Sequence, residues 1–405
     1  MRVLYVTDFF PWPSTKGGLI RRATQVEVLA RLGDVDLFSF VEWSGPAPEV
    51  PDGVPIRRLG TSPYPVDSVS LRWRIERPFR RGTPLLIALR MGDPGPRALF
   101  NAFVSDRYDV VWFSTASTWA WMGRPRLGPT IVDLDVLDDE VERQRADLIH
   151  AQPARGAGAL ARRSLAELKV RVNAYDWSRL QRSVARHVDR VVLCSATDVA
   201  RLAVANAAVI PNTFAEPERP VGRPEATDPP TVLFQASFDY PPNADAARWL
   251  VEEVAPRIRV RLPGTKIRLA GMSTPAVAAL ADEPDVTVTG RVPSMVDELA
   301  RCDLVLVPLR SGSGTRLKIL EAFAHRIPVV STSIGAEGLD AVDGVHLLVA
   351  DRPDAIAEAC GRVCEDTDLR RRLVDAAQEL FRKRFESSVA EAQIRELVDS
   401  VTRRP

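Results

Sequence analysis

The chain has 405 residues, longer than one hydrophobic core usually organises, and 45% of them are apolar, an ordinary share for globular protein. Its 54 basic and 53 acidic side chains nearly cancel, so no whole-protein field draws it to nucleic acid or to a charged bilayer. These values exclude a disordered or fibrous chain, predict two α/β domains, and leave no nucleic-acid partner to expect.

From the N-terminus, Val3–Val6 reads as an apolar strand with no charged leader, long apolar segment or small-residue cleavage site around it, so no signal peptide is expected. No stretch approaches the roughly 18 to 20 apolar residues of a membrane span, which predicts a cytoplasmic protein whose membrane contact, if any, is peripheral. A Gly/Pro-rich loop through Gly17-Gly18 leads into a helix-period stretch, Leu19–Leu32, completing a βα unit. Further strands are predicted at Val35–Phe40, Val110–Phe113, Thr130–Val132 and Val188–Leu193, spaced widely enough for helices between them. Leu71–Gly82 carries five arginines among aromatic and aliphatic residues. Arg72–Arg81 thus reads either as a peripheral contact with anionic lipid on the cytoplasmic face or as a solvated loop. Leu160–His187 contains no proline and reads as one long helix with a charged outer face.

The segment Phe214–Pro230 holds five prolines and scattered charge, which sustain neither a helix nor a central strand. Beyond it, Thr231–Gln235, Lys266–Leu269, Val286–Val288, Leu304–Val307, Val329–Ser331 and His346–Val349 are short apolar runs, each followed by helix-like sequence. The chain ends in helix-like sequence over 355–401. This alternation predicts an α/β protein of two doubly wound, Rossmann-like domains facing across a cleft. Residues 1–214 form the first domain, completed by a C-terminal helix at about 386–405; residues 215–230 form the linker and residues 231–385 the second domain.

Metal-site signals are weak. Cys194, Cys302, Cys360 and Cys364 contain no C-x-x-C pair, and only His150, His187, His325 and His346 are present, so no metal site and a reducing compartment are expected.

The most informative stretch is Pro308–Thr332, a strand end, Gly-rich turn, helix and next strand. Gly312 and Gly314 permit a tight turn there. Ser313 or Thr315 is placed to cap the helix, whose positive end suits a diphosphate. Lys318 in the first turn and Glu321 three residues on share one side, an ammonium for phosphate charge and a carboxylate for ribose hydroxyls, or else a plain intrahelical ion pair. In the first half, Ile131–Glu140 puts five acidic residues after a strand. Asp133, Asp135 and Asp138 are candidates to orient or deprotonate an acceptor hydroxyl, while Asp138 and Asp139 equally read as the acidic start of a helix.

On these residues the chain resembles the retaining GT-B glycosyltransferases of the sucrose-synthase and mannosyltransferase group. Leu320–Thr332 resembles that family's Glu-Ala-x-Ala-x-Gly-x-Pro-Val-Val-x-Thr signature, and Gly314–Glu321 resembles its bacterial members that build exported or capsular saccharides. Gly17-Gly18, Val209–Thr213 and Gly290-Arg291-Val292 fall in register with it. The resemblance implies transfer of a hexosyl or related sugar from a nucleotide diphosphate-sugar to a saccharide, lipid-linked or small-molecule hydroxyl. It further implies retention at the anomeric carbon without an enzyme nucleophile, and no cofactor beyond the donor co-substrate. Donor contacts are implied at Gly17, Gly18, Gly312, Gly314, Thr315, Lys318, Glu321, Arg291 and Val292.

The chain departs from the pattern at Ser313, where many relatives carry a second glutamate, at Phe238–Asn243, where others place an Arg and a Lys, and at Arg326, where a glycine is usual. These departures leave Lys318 and Arg316 as expected cationic partners of the leaving diphosphate, with Asp135 as a catalytic candidate. With cations and helix N–H groups in that role, no essential divalent metal is expected. A nucleotide-sugar epimerase and a catalytically silent nucleotide-sugar-binding protein are the competing readings. A nicotinamide dehydrogenase is disfavoured because the first βα loop lacks G-x-G-x-x-G.

Overall fold

The computed structural model of the chain describes residues 1–14, 17–41, 49–65, 83–151, 154 and 156–403. Arg72–Arg81 lies outside the described residues. The chain divides into two units, Met1–Pro211 with Ala390–Pro405, and Asn212–Val389.

Short runs rich in Val, Leu, Ile and Phe become the central strands, buried on both faces, which is why they read as continuous apolar segments rather than alternating ones, while edge strands such as Ile56–Pro63 are largely exposed. In the first unit these are β1 (Arg2–Thr7), β2 (Asp34–Val41), β3 (Ile56–Pro63), β4 (Val110–Phe113), β5 (Thr130–Leu134), β6 (Arg190–Leu193) and β7 (Ala207–Val209). They form one sheet in the order β3-β2-β1-β4-β5-β6-β7, with every pair parallel. Successive side chains point to opposite faces. Leu4, Val6, Phe38, Val111 and Phe113 therefore pack on one side. Val3, Tyr5, Leu37 and Trp112 pack on the other, against Val26 and Leu29 of the helix Gly17–Leu32 and Ile394 and Val398 of the helix Ser387–Thr402.

The second unit repeats the scheme with β8 (Thr231–Gln235), β9 (Lys266–Ala270), β10 (Val286–Gly290), β11 (Leu304–Val307), β12 (Val329–Ser331) and β13 (Leu348–Val349). Its order is β10-β9-β8-β11-β12-β13, again all parallel. Each sheet thus reverses its strand order once, at β1/β4 in the first unit and at β8/β11 in the second. The carboxyl ends of strands at such a switch point are where open α/β sheets bind ligands.

The proline-rich segment 215–230, expected as the linker, belongs to the second unit. Its backbone is irregular but anchored. The Gly222 N–H donates to the His325 carbonyl at 2.8 Å, and the Thr227 and Thr231 N–H groups donate to the Asp303 carboxylate at 2.9 and 2.7 Å. A β-carbon on Gly222 would stand 2.0 Å from the Arg326 carbonyl oxygen, so only glycine fits this approach. Prolines rule out helix and central strand, yet a strap whose polar groups find buried partners is as well held as either. Among the described residues no helix is long and apolar enough to cross a membrane.

Candidate functional site

At the switch point of the second unit, β8 ends on Gln235 and β11 runs into the loop Pro308–Arg316, which feeds the helix Leu317–Ala324. Gly312 has φ 142° and Gly314 φ 78°, both in the left-handed region that a side chain disfavours. The loop is shaped from within by Arg316, which donates to the carbonyls of Ser313, of Gly314 at 2.7 Å and of Ile334 at 3.2 Å. The Arg316 guanidinium, expected as a cationic partner of the leaving diphosphate, thus also holds the loop's own backbone. The helix is also capped differently from the prediction. Arg316 occupies the N-cap position with no side-chain cap bond, so neither Ser313 nor Thr315 plays that part. Thr315 is buried, and its carbonyl accepts from the Asn212 side chain at 3.2 Å.

Lys318 stands in the first turn of this helix. Its Nζ donates to Asn243 Oδ1 at 3.0 Å and lies 4.5 Å from the centre of the Phe234 ring. Burial, aided by the positive charge of Arg316, pushes its ammonium down to about 7. One turn on, burial pushes the Glu321 carboxyl up to about 7, with the Gln235 amide pulling it partly back. Both side chains retain some solvent-accessible surface. An ammonium and a carboxyl three residues apart on one helix at a switch point, each held near neutral pH by burial, are the kind of perturbed groups that mark functional sites.

Gln235 donates through Nε2 to the Lys318 carbonyl at 3.2 Å, while its Oε1 is buried with no hydrogen-bond partner among the described residues. Arg310 forms a bidentate pair with Asp245, at 3.0 and 2.7 Å, over the Trp249 ring. Gln235, Asn243, Asp245 and Arg310 escaped the sequence reading. Their only signal was position, since they lie on β8, the helix after it and the loop after β11.

Arg291 and Val292 follow β10. Arg291 is exposed and approaches Met272 Sδ at 3.9 Å, and no hydrogen bond among the described residues joins it to Lys318 or Glu321.

In the first unit the helix Gly17–Leu32 starts at the predicted glycine pair. Arg22 donates to the Gly18 carbonyl at 2.7 Å and to Asp8 Oδ1 at 3.0 Å, and Ser114 Oγ donates to the same Asp8 oxygen at 3.1 Å. Asp8 and Ser114 directly follow β1 and β4, at this unit's own switch point. A β-carbon on Gly18 would meet Arg22 Nη1 at 2.6 Å, so the missing side chain makes room for the guanidinium.

The acidic run separates into two kinds. Asp133 is 1% exposed and accepts two bonds from Arg21, at 2.7 and 3.0 Å, and one from Gln25. Arg21 also donates to the Ile210 carbonyl at 2.8 Å, and Tyr5 to Gln25 at 2.6 Å. Asp133 is therefore consumed by a buried network, contrary to the acceptor role expected of it. Asp135 and Asp138 are only partly buried. Burial raises both carboxyls, Asp138 well above the ordinary range, with Arg22 and Arg21 opposing the rise at Asp135. Asp138 opens the helix Asp138–Ala151, one of the two parts its sequence position allows. Among the described residues no group of three or more His, Cys, Asp or Glu side chains is arranged to hold a metal ion.

Comparison with known proteins bears on these observations. Residues 229–366 match the family model described as glycosyl transferases group 1. Over 129 residues the chain is 26% identical to a 44.6 kDa protein in the cps region of Klebsiella pneumoniae, a match spanning 30% of this chain and 33% of that protein. The chain thus spans about a third of the length of this relative. Among solved structures it is similar to the sucrose-phosphate synthase of Thermosynechococcus elongatus, at 16% identity over 99% of each chain with a TM-score of 0.67. It is also similar to HepE of Anabaena in complex with UDP and glucose, at 16% identity over 99% of this chain and 100% of that one, with a TM-score of 0.59. At such identities the likeness speaks for the fold, which is GT-B.

Proposed function

We propose that this chain, which carries a glycosyl transferases group 1 domain over residues 229–366, moves a sugar from a nucleotide diphosphate-sugar to an acceptor hydroxyl with retention at the anomeric carbon. The observation that carries the reading is the convergence, at the carboxyl ends of β8 and β11, of Glu321, Lys318 and the loop through Gly312 and Gly314. Glu321 accepts hydrogen bonds from the donor ribose. Lys318 and the uncapped start of the helix Leu317–Ala324 carry the diphosphate.

As the bond from the anomeric carbon to the diphosphate oxygen breaks and the bond to the acceptor oxygen forms, the acceptor's proton passes to the leaving phosphate. Charge develops on that phosphate, so a cation and helix dipole already in place lower the barrier without reorganisation. No enzyme nucleophile and no divalent metal are assigned. Gly17 and Gly18 stay assigned to donor contact by the family resemblance alone. Asp135 and Asp138 serve the acceptor, and Arg291 and Val292 are assigned only peripheral donor contacts. The acceptor is a saccharide, lipid-linked or small-molecule hydroxyl. The HepE complex with UDP supports a uridine nucleotide as the first donor to try.

The test is release of nucleoside diphosphate from UDP-glucose and GDP-mannose, with and without simple glycoside acceptors. The proposal expects release from one donor, accelerated by an acceptor and abolished in Lys318→Ala. Donor binding without turnover across acceptors favours the silent binding protein instead, and a new sugar nucleotide formed from donor alone favours an epimerase.

A further inference from the structure

The strand β8 is apolar and fully buried through Val232, Leu233 and Phe234, yet its last residue is Gln235, whose side chain ends the strand with an amide only 4% exposed. Burying an amide costs free energy unless its donor and its acceptor both find partners, so a buried glutamine asks for an explanation at each end. The nitrogen end has one. Nε2 donates to the Lys318 carbonyl at 3.2 Å, which also fixes which end of the amide is which. The oxygen end does not: Oε1 is closed off from solvent and has no hydrogen-bond partner among the described residues.

Lys318 and Glu321 lie three residues apart on the helix Leu317–Ala324 and therefore share one side of it. An amide hydrogen-bonded to the Lys318 carbonyl is thus within reach of the Glu321 side chain, and it does hydrogen-bond that carboxyl, favouring the charged form. Burial keeps a proton on the same carboxyl up to about 7. A protonated carboxyl has an O–H to give, and an amide beside it has an oxygen to take it. The orphaned Oε1 and the protonated Glu321 answer each other.

We propose that Gln235 is the positioning residue of Glu321: its amide fixes the rotation of the carboxyl, so that a nucleoside diphosphate meets an acceptor already turned toward its ribose hydroxyls. With the proton on, Glu321 donates to Oε1 and the amide N–H donates to the other carboxyl oxygen. With the proton lost to solvent, the N–H bond alone holds the carboxylate. Fixing a group before its ligand arrives removes part of the ordering that binding otherwise costs. The inference rests on the reading of this site as a nucleotide site, and its test separates failure of the one from failure of the other.

Calorimetry compares UDP, GDP and ADP with their 2′,3′-dideoxy forms on the full chain as wild type, Gln235→Leu, Glu321→Ala and the double variant. Gln235→Met, unbranched and of the same length, repeats the comparison, and thermal unfolding checks that each protein is folded. The expected result is that wild type binds one ribonucleotide at least about tenfold more tightly than its dideoxy form, and that Gln235→Leu and Gln235→Met lose most of that preference. Their affinity for the dideoxy form stays within about twofold of wild type, because Lys318 still meets the diphosphate. In the Glu321→Ala background Gln235→Leu changes affinity by less than about twofold, since a positioning residue acts only through its partner. A glutamine that merely supports the fold would instead lower both affinities alike. That result overturns the inference, as does an intact ribose preference in both Gln235 variants, or an effect of Gln235→Leu as large in Glu321→Ala as in wild type; each leaves Glu321 as a ribose contact. Wild type that binds no nucleotide, or binds without ribose preference, overturns the nucleotide-site reading and this inference together.

Discussion

Replacing Glu321 by Gln keeps the size of the side chain and removes its charge, and its effect on stability follows from where the carboxyl titrates. In the folded protein burial holds the proton on up to about 7, whereas the unfolded chain releases it near 4.5. Between those values the folded state binds more protons than the unfolded one, so this group lowers stability progressively as pH rises, and the loss is complete above about 7. At about 1.4 kcal/mol per pH unit, the full penalty would be about 3 kcal/mol; the side chain keeps some contact with water, which screens it to about 1 to 2 kcal/mol.

Glu321→Gln removes this penalty at pH 8 and has little of it to remove at pH 5, where the penalty has only begun to build. In a unit of this size the gain corresponds to a melting temperature raised by about 2 to 6 °C at pH 8, and by no more than about 1 °C at pH 5. The same variant loses the charged acceptor for ribose hydroxyls and binds nucleotide about 10 to 100 times more weakly. A substitution that stabilises the fold while weakening binding is the signature of a residue kept for function. Thermal scans at both pH values, with and without nucleotide, read both effects. A melting temperature at pH 8 that is unchanged or lower, or a shift equal at pH 5 and pH 8, would refute the reasoning.

Other outcomes follow from the same geometry. Lys318 is charged below about 7 and neutral above, so affinity for a nucleoside diphosphate falls by up to about tenfold per pH unit above that value and the dependence flattens in Lys318→Met; calorimetry across pH 6 to 9 checks it. Gly314→Ala forces a side chain onto φ 78° and costs about 1 to 2 kcal/mol, visible as a lower urea midpoint. Asp133→Asn strands the buried Arg21 charge and destabilises by about 3 to 5 kcal/mol, and adding Arg21→Met recovers much of the loss in the same assay. Protein treated with EDTA keeps its turnover, whereas loss restored by magnesium would contradict the cationic account of the leaving group.

The sheets were legible because their central strands are unbroken apolar runs. Val110–Phe113, Thr231–Gln235, Leu304–Val307 and Val329–Ser331 have the predicted ends. The two strands that escaped notice are the edges of the first sheet. In β3, Ile56–Pro63, most side chains are polar or exposed, and β7 has three residues, both common ways of blunting an edge. The proline-rich segment 215–230 carries no helix or strand signal in its sequence, yet Asp303 and the His325 carbonyl hold it in place, contacts that only the fold supplies. At the candidate site, the Gly312 to Glu321 stretch could be read because turn and helix are local. Gln235 and Asn243 reach it from β8 and the helix beyond, 83 and 75 residues from Lys318 in sequence, and only the fold brings them near. The inward partners of Arg316 and Asp133 were not legible, because sequence carries no sign of which charged groups turn inward to bind backbone or each other.

The most direct test of the central claim is calorimetry of wild type and Glu321→Ala against UDP, GDP, dTDP and ADP. The account predicts that one of the four binds wild type and that its affinity drops sharply in Glu321→Ala. If none binds, or if the variant binds as tightly as wild type, the loop and helix from Gly312 to Glu321 do not hold a nucleotide and the proposed function is wrong.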